Sequence, residues 1–322
     1  MLSAKKIDFR QYGPLLALVA LMIIGYLINP AFLSKGNLLN ILTRSCFIAI
    51  IAVGMTFVIT TGGIDLSVGS MAALIAGLVI LFMNYLSKTY DFGMLAVIMG
   101  VTLAIILGII GGFINGFIST KGGVEPFIIT LGTMGIYRSV LIYVADGGAI
   151  TLDSAVRNIY RPFYYGDILG IPTPIFVLIA VVILGYILLN YTRFGRYCAA
   201  IGSNLNVAKY SAIPVDKVRI LTYMFLGLCV AIATIVYIPR LGSATSQTGV
   251  LWELEAIAAV VIGGTYLKGG HGQVVGAFIG ALILTVIGNI LNLTDVISVH
   301  LNGAAQGIII IVAILLQRTQ KS

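Results

Sequence analysis

Charge is what this chain has least of. Only 9% of its 322 residues are Asp, Glu, Lys or Arg, against roughly 25% in an ordinary globular protein. With 59% hydrophobic residues and a mean hydropathy of +1.08, too few polar side chains remain to cover a water-soluble body of this size. A soluble enzyme, a disordered chain and a disulfide-stapled secreted domain are all excluded. Cysteine is scarce as well. Cys46, Cys198 and Cys229 show no paired spacing, so neither a disulfide framework nor a cysteine metal motif is expected. The two histidines, His271 and His300, have no H-x-x-x-H spacing and no nearby acid cluster, so no metal is expected either. Alternating strands of an outer-membrane barrel are missing too.

What is there is apolar sequence in long runs. A spanning helix needs about 20 apolar residues, and the runs between charged or turn-rich breaks number ten. They lie near 13–33, 43–61, 67–86, 92–119, 126–144, 173–191, 217–238, 254–267, 273–293 and 299–317, the eighth being short. The expected fold is all-α: a polytopic helical membrane protein of about ten transmembrane helices, forming a single transmembrane domain over 1–322. No small-x-small cleavage pattern follows the first run, which reads as an uncleaved span rather than a signal peptide.

The bases set the orientation. With the N-terminus inside, twelve Lys and Arg fall in inner segments, six in outer ones, and Arg138 within a span. That excess predicts both termini in the cytoplasm. It also accounts for the net charge of +8 without any nucleic-acid partner. Two loops are long. An outer one at about 145–172 carries Asp146, Asp153, Asp167 and three tyrosines. An inner one at about 192–216 reads TRFGRYCAAIGSNLNVAKYSAIPVD. Each is long enough for a short helix, and the inner one is read as a docking surface or as a surface helix lying among lipid headgroups.

The acids bear on energy. A carboxylate at the centre of a span costs about 2.5–3.5 kcal/mol on insertion scales and marks function where it occurs. All eleven acids fall in loops or at helix ends, so no proton relay is visible. A phosphate-binding loop needs a Gly-Lys step, and none of the nine lysines follows a glycine. Uphill transport by this chain therefore requires power from another subunit.

The most distinctive string is TTGGIDLSVGS, Thr60 to Ser70. Gly62 and Gly63 allow the chain to turn with positive φ, and Asp65 or Ser67 can cap the amides opening the next helix. Capping and a gating or partner-contact role both remain open for Asp65.

Four strings occur together: AVGMTFVITTGGIDLSVGS (52–70), PFIITLGTMGIYR (126–138), TRFGRYCAAIGSNLNVAKYSAI (192–213) and LEAIAAVVIGGTYLKGGHG (254–272). In order and spacing they resemble the membrane permeases of bacterial ABC importers for monosaccharides of the ribose/xylose/galactose type, including permeases for the ribose-derived signal autoinducer-2. The resemblance covers nearly the whole chain. It implies a permease subunit of the bacterial inner membrane, paired with a second permease copy as a homodimer or a paralogous heterodimer. A cytoplasmic ATP-binding cassette subunit would carry ATP and Mg, this chain binding no cofactor, and a periplasmic sugar-binding protein would dock above. The inner loop is similar to the family's coupling segment, with Gly202, Ser203, Asn204, Asn206, Ala208, Lys209 and Ser211 as its ATPase-contacting candidates. Val207-Ala208 stands where the family often has Ala-Ala, and Ser211-Ala212-Ile213 where it often has Ser-Gly-Ile.

The remaining residues divide by place. Among polar residues within spans, Asn115, Thr130, Thr133 and Asn289 must find partners in the bilayer. They are expected to face other helices and, with Gly62, Gly63, Asp65 and Ser67, are the gating and pathway candidates. Arg44, Arg161 and Arg240 face outward and are candidates for pairing with acids of a docked binding protein, or are solvated loop charges. Arg138 can snorkel to the outer surface. Trp252 and Tyr237 flank an outer boundary. The 38 glycines, in runs such as Gly108–Gly112 with Gly116 and Gly276–Gly280, suit close helix packing. An ion-coupled secondary sugar transporter and a passive channel are the rival readings, disfavoured by the placement of the acids and by the long basic loop.

Overall fold

The computed structural model describes residues 13–294 together with Ala304 and Gly307; His300 and the rest of the tenth expected span lie outside the described residues. In chain order the helices are α1 (Gly13–Ile28), α2 (Lys35–Thr60), α3 (Val68–Tyr90), α4 (Met94–Lys121) and α5 (Pro126–Val144). Then come α6 (Ser154–Tyr160), α7 (Pro162–Tyr165), α8 (Thr173–Tyr191), α9 (Arg193–Ser203) and α10 (Leu205–Tyr210). They end with α11 (Val215–Leu241), α12 (Trp252–Ile262) and α13 (Val274–Thr294). Among the described residues seven helices are long and apolar enough to cross a membrane, namely α2, α3, α4, α5, α8, α11 and α13.

The first boundary moves. Pro30 has no N–H to carry α1 onward, and the chain makes a 3-10 turn over Pro30–Leu33, with Asn29 Oδ1 accepting the Ala31 N–H at 2.9 Å. Ser34 then caps α2 by accepting the Asn37 N–H at 3.4 Å. The first helix therefore stops short of residue 33, and the second starts at Lys35 rather than 43. Lys35 and Arg44 stand on a helix, where a loop was expected.

α2 is the central post. Every residue from Ser45 to Thr60 is buried, as befits a helix apolar on all sides, and α8, α11, α12 and α13 surround it. α4 and α11 form the most extensive pair. Gly108, Gly112 and Gly116 put one bare face of α4 against the backbone of Gly227, Tyr223 and Ile220, leaving no room for a Cβ. Gly276 and Gly280 of α13 do the same against Gly263 and Ala259. Lipid supplies no hydrophobic drive between helices, so such close backbone approach does the work of packing.

The eighth expected span, 254–267, does not form as a crossing helix. α12 has 11 residues, about 16 Å at 1.5 Å each and half of a hydrocarbon core about 30 Å thick. Gly263 and Gly264 (φ 92°) end it. The 243–251 stretch before it is not helical, and its Thr248 and Gly249 are buried. Irregular backbone is tolerated in a membrane protein where protein covers it.

Four two-residue strands lie among the connections. β1 (Ile150–Thr151), in the long loop after α5, pairs antiparallel with β4 (Ser243–Ala244), Ile150 opposite Ala244. β2 (Asp167–Ile168) and β3 (Ile171–Pro172) make a hairpin. These strands with α6 and α7 close one end of the bundle. At the other end α9 and α10, the 61–63 turn and the loop 263–273 meet.

Candidate functional site

The turn between α2 and α3 folds inward. Gly62 takes φ 83°, while Gly63 stays outside the left-handed region, so one of the expected pair turns that way. At Gly63 a Cβ would stand 2.7 Å from the Tyr223 hydroxyl. Asp65, Ser67 and Asn115 of α4 are all buried, Asp65 being 1% exposed. Asp65 Oδ1 accepts the Ser67 N–H at 2.8 Å and the Ser67 hydroxyl at 2.7 Å. Its Oδ2 accepts Asn115 Nδ2 at 3.0 Å, and the same amide donates to Ser67 Oγ at 2.7 Å.

The capping expectation is not met, since no side chain bonds the amides that open α3. Asp65 secures Ser67, the first residue before α3, while Ser67 makes no side-chain bond to the helix amides. Burial pushes the Asp65 carboxyl above the ordinary carboxylate range, and the donors from Ser67 and Asn115 pull it back. Asp65 keeps to a loop, as expected of the acids, but that loop is packed among α3, α4 and α11.

A second irregular stretch meets the first. Gly249 lies backbone to backbone against Gly69, the second residue of α3, and a Cβ at Gly69 would also stand 2.6 Å from Glu253 Oε2. Arg138 of α5 holds this stretch from the side, donating through Nη1 to the carbonyls of Ser246 at 2.8 Å and Thr248 at 2.6 Å. It is half-buried and turned inward, so snorkelling to the outer surface is not its role. Sequence reading missed this clasp; a cation inside a span was the available signal.

The basic inner loop forms two helices. Thr192 caps α9 by accepting the Gly195 N–H at 3.4 Å, and Asn204 caps α10 by accepting the Val207 N–H at 3.1 Å. Ser203, Asn204, Asn206, Lys209 and Ser211 are exposed. Ala208 is buried and Gly202 half-buried, so these two anchor the segment rather than face outward. A Cβ at Gly202 would collide with the Thr60 carbonyl and the Gly270 amide, and Gly270 N–H donates to that carbonyl at 2.9 Å. The coupling candidates and the 60–70 turn, separate in sequence, are contiguous here. Val207 and Tyr210, 58% and 91% exposed, join the outward face and were not singled out from sequence.

The other polar candidates are spoken for. The Thr130 and Thr133 hydroxyls donate to carbonyls one turn back, at 3.3 and 3.2 Å. Asn289 exchanges amide bonds with Asn37 at 3.0 and 2.9 Å, clasping α13 to α2. At the far end Arg44 and Arg240 line one cavity of about 270 Å³ with Glu255 and Asn289. Arg240 lies over the rings of Phe47 and Tyr164 at 5.6 and 5.9 Å, and Phe47 stacks on Trp252 at 6.1 Å. Tyr237 and Trp252, expected at an interface, belong to this aromatic group. Arg161 lies over Tyr165 at 4.9 Å, a ring that packs on Tyr164 and whose hydroxyl donates to the Arg240 carbonyl at 3.0 Å.

Long apolar helices around a buried polar turn, with irregular backbone covered by protein, define a multi-pass membrane protein. The sequence profile described as branched-chain amino acid transport system / permease component matches residues 37–314, and the chain belongs to that family. It is similar to the ribose import permease protein RbsC of Bacillus subtilis, 41% identical over 99% of this chain and 97% of that protein. It is also similar to the D-allose transport system permease protein AlsC of Escherichia coli, 33% identical over 96% and 91%. The autoinducer 2 import system permease protein LsrC of Klebsiella pneumoniae is 32% identical over 88% and 79%. No solved structure matches.

Proposed function

We propose that this chain is the membrane-spanning subunit of an ABC importer, forming the pathway for ATP-driven uptake of a monosaccharide or a sugar-derived signal. The observation that carries the reading is the end-to-end similarity to import permeases named for ribose, allose and autoinducer 2. The family's descriptive name points to amino acids, but the relatives at 33–41% identity, matched over 91–97% of their length, are named for ribose and allose.

The chain has about ten spans and both termini in the cytoplasm of a bacterial cell, α12 with the stretch before it standing in for one crossing. The excess of bases on the α10 end supports this orientation. α10 and the residues flanking it then seat on a cytoplasmic ATPase subunit that binds ATP and Mg. Arg44 and Arg240, with Arg161, meet acids of a periplasmic binding protein at the opposite end. A second permease copy completes the pathway.

Reconstitution in liposomes with candidate ATPase and binding-protein partners tests this. The expected result is uptake of a labelled monosaccharide only with ATP inside. Uptake by the lone chain under a proton gradient would establish the ion-coupled alternative, and downhill flux without either would establish a channel.

A further inference from the structure

A cavity of about 260 Å³ opens beside the α10 end, at the foot of the 61–63 turn. Ser119 and Thr120 from the last turn of α4, Glu125 before α5, Arg219 and Tyr223 of α11, and Leu205 of α10 line it. It is separate from the Asp65 network, and none of the roles assigned above uses its charged groups.

Ser119 carries the first clue. Its side chain is 8% exposed and its hydroxyl has no hydrogen-bond partner. A buried unpartnered hydroxyl on a cavity wall calls for something in the cavity that bonds to it. The second clue is the charge pattern. Among the described residues neither Glu125 nor Arg219 is in an ion pair, yet both reach the same space. A carboxylate accepts only, and a guanidinium donates only, through a planar fork. With two hydroxyls that do both, the wall offers donors and acceptors in balance and no net formal charge. An anion would be repelled by Glu125 and a cation by Arg219. A neutral molecule with adjacent hydroxyls satisfies all of them.

Size narrows the class. The volume equals about nine waters at roughly 30 Å³ each, room for one sugar ring and not for two. The single aromatic ring on the wall, Tyr223, is 2% exposed, so the site has no open stacking platform and binds weakly. Weak binding suits a place where cargo is let go.

We propose that this cavity is a monosaccharide site at the inner mouth of the permease, where cargo on its way out touches the coupling segment at Leu205. The proposal rests on the transport reading above for its orientation and ligand class.

Cysteine protection tests it in the assembled transporter, in inside-out membrane vesicles. Cys46, Cys198 and Cys229 are buried, so Ser119→Cys supplies the reactive thiol for a membrane-impermeant methanethiosulfonate. D-ribose, D-allose or D-fructose at about 20 mM should slow labelling about threefold, as expected for a dissociation constant of about 10 mM. Sucrose at the same concentration should not. Should Ser119→Cys fail to assemble, Thr120→Cys is read in the same way.

Labelling that no monosaccharide slows overturns the site, as does equal slowing by sucrose. Slowing that follows the phosphatidylglycerol content of the vesicles instead of added sugar assigns the cavity to a lipid headgroup and also overturns it. A thiol that does not react places the cavity out of reach of the cytoplasm, which rules the site out as well. ATP-driven uptake without protection removes this site alone. Protection without ATP-driven uptake removes the transport reading and leaves the site.

Discussion

The α-carbon of Gly202 rests against the carbonyl oxygen of Thr60, the same oxygen that accepts the Gly270 N–H at 2.9 Å. Three chain segments meet there through main-chain atoms: the end of α9, the end of α2 and the loop before α13. A displacement of the α9–α10 segment therefore reaches the foot of the 61–67 turn without passing through a flexible side chain.

Gly202→Val forces these segments apart. ATP hydrolysis by the assembled transporter should persist while sugar uptake falls at least about tenfold, equivalent to about 1.4 kcal/mol of lost coupling. Asn204→Ala removes the α10 cap and should cost about 1 kcal/mol of local stability, with a smaller effect on uptake. The ratio of ATP hydrolysed to sugar moved is the measurement, and an unchanged ratio in Gly202→Val removes the contact from the coupling route.

Tyr210 is exposed over 91% of its surface at the end of α10. Tyr210→Ala should leave insertion and thermal stability unchanged and weaken co-purification of the ATPase subunit several-fold, since an exposed aromatic is a common interface anchor. Equal recovery of the ATPase would exclude Tyr210 from the contact.

Asp65 in the turn before α3 and Asn115 of α4 bond inside the protein. A hydrogen bond to a charged group contributes about 1.5–3 kcal/mol. Asn115→Leu and Asp65→Asn should each lower the melting temperature of the detergent-solubilised protein. The double variant should lose less than the two single losses combined, with a coupling of about 0.5–3 kcal/mol. Additive losses would show that the pair acts independently.

Arg138 Nη1 bridges two carbonyls of the 243–251 stretch. A lysine ammonium is a compact point charge on a flexible stem, so Arg138→Lys keeps the charge but loses the planar fork. It should retain folding and reduce uptake, and Arg138→Ala should abolish uptake. Protease accessibility of the 243–251 stretch is the direct readout: cleavage should rise in both, more in alanine.

Arg44 and Arg240 share a cavity wall that Arg161 does not line. Arg44→Glu with Arg240→Glu should weaken the binding protein about tenfold or more at low salt, less at about 0.5 M, because exposed charges are screened. Arg161→Glu should do less. Salt-independent binding in the double variant would assign docking to other residues.

Helix positions were largely legible because apolar runs and glycine spacing report directly on packing in lipid. Asn115 and Gly112 both sit on α4, and the sequence marked each: one as a polar group needing a partner, the other as a bare face. What it could not show was depth. Asp65 lies in a turn by every local signal, and its burial follows from α3 beginning well inside the bundle. α12 looked like a weak span because hydropathy records composition, whereas Gly263 and Gly264 decide length. Arg138 was misread for a related reason: its partners are main-chain carbonyls more than a hundred residues away, which no side-chain pattern announces.

Gly69 and Gly249 touch through bare backbone. Most packed surfaces are locked by side chains set into hollows, and sliding one past the other means lifting each out. Two glycines present no such teeth. At this crossing no side chain has to be lifted out before the 243–251 stretch slides along the first turn of α3, and the Arg138 clasp is what holds it in place.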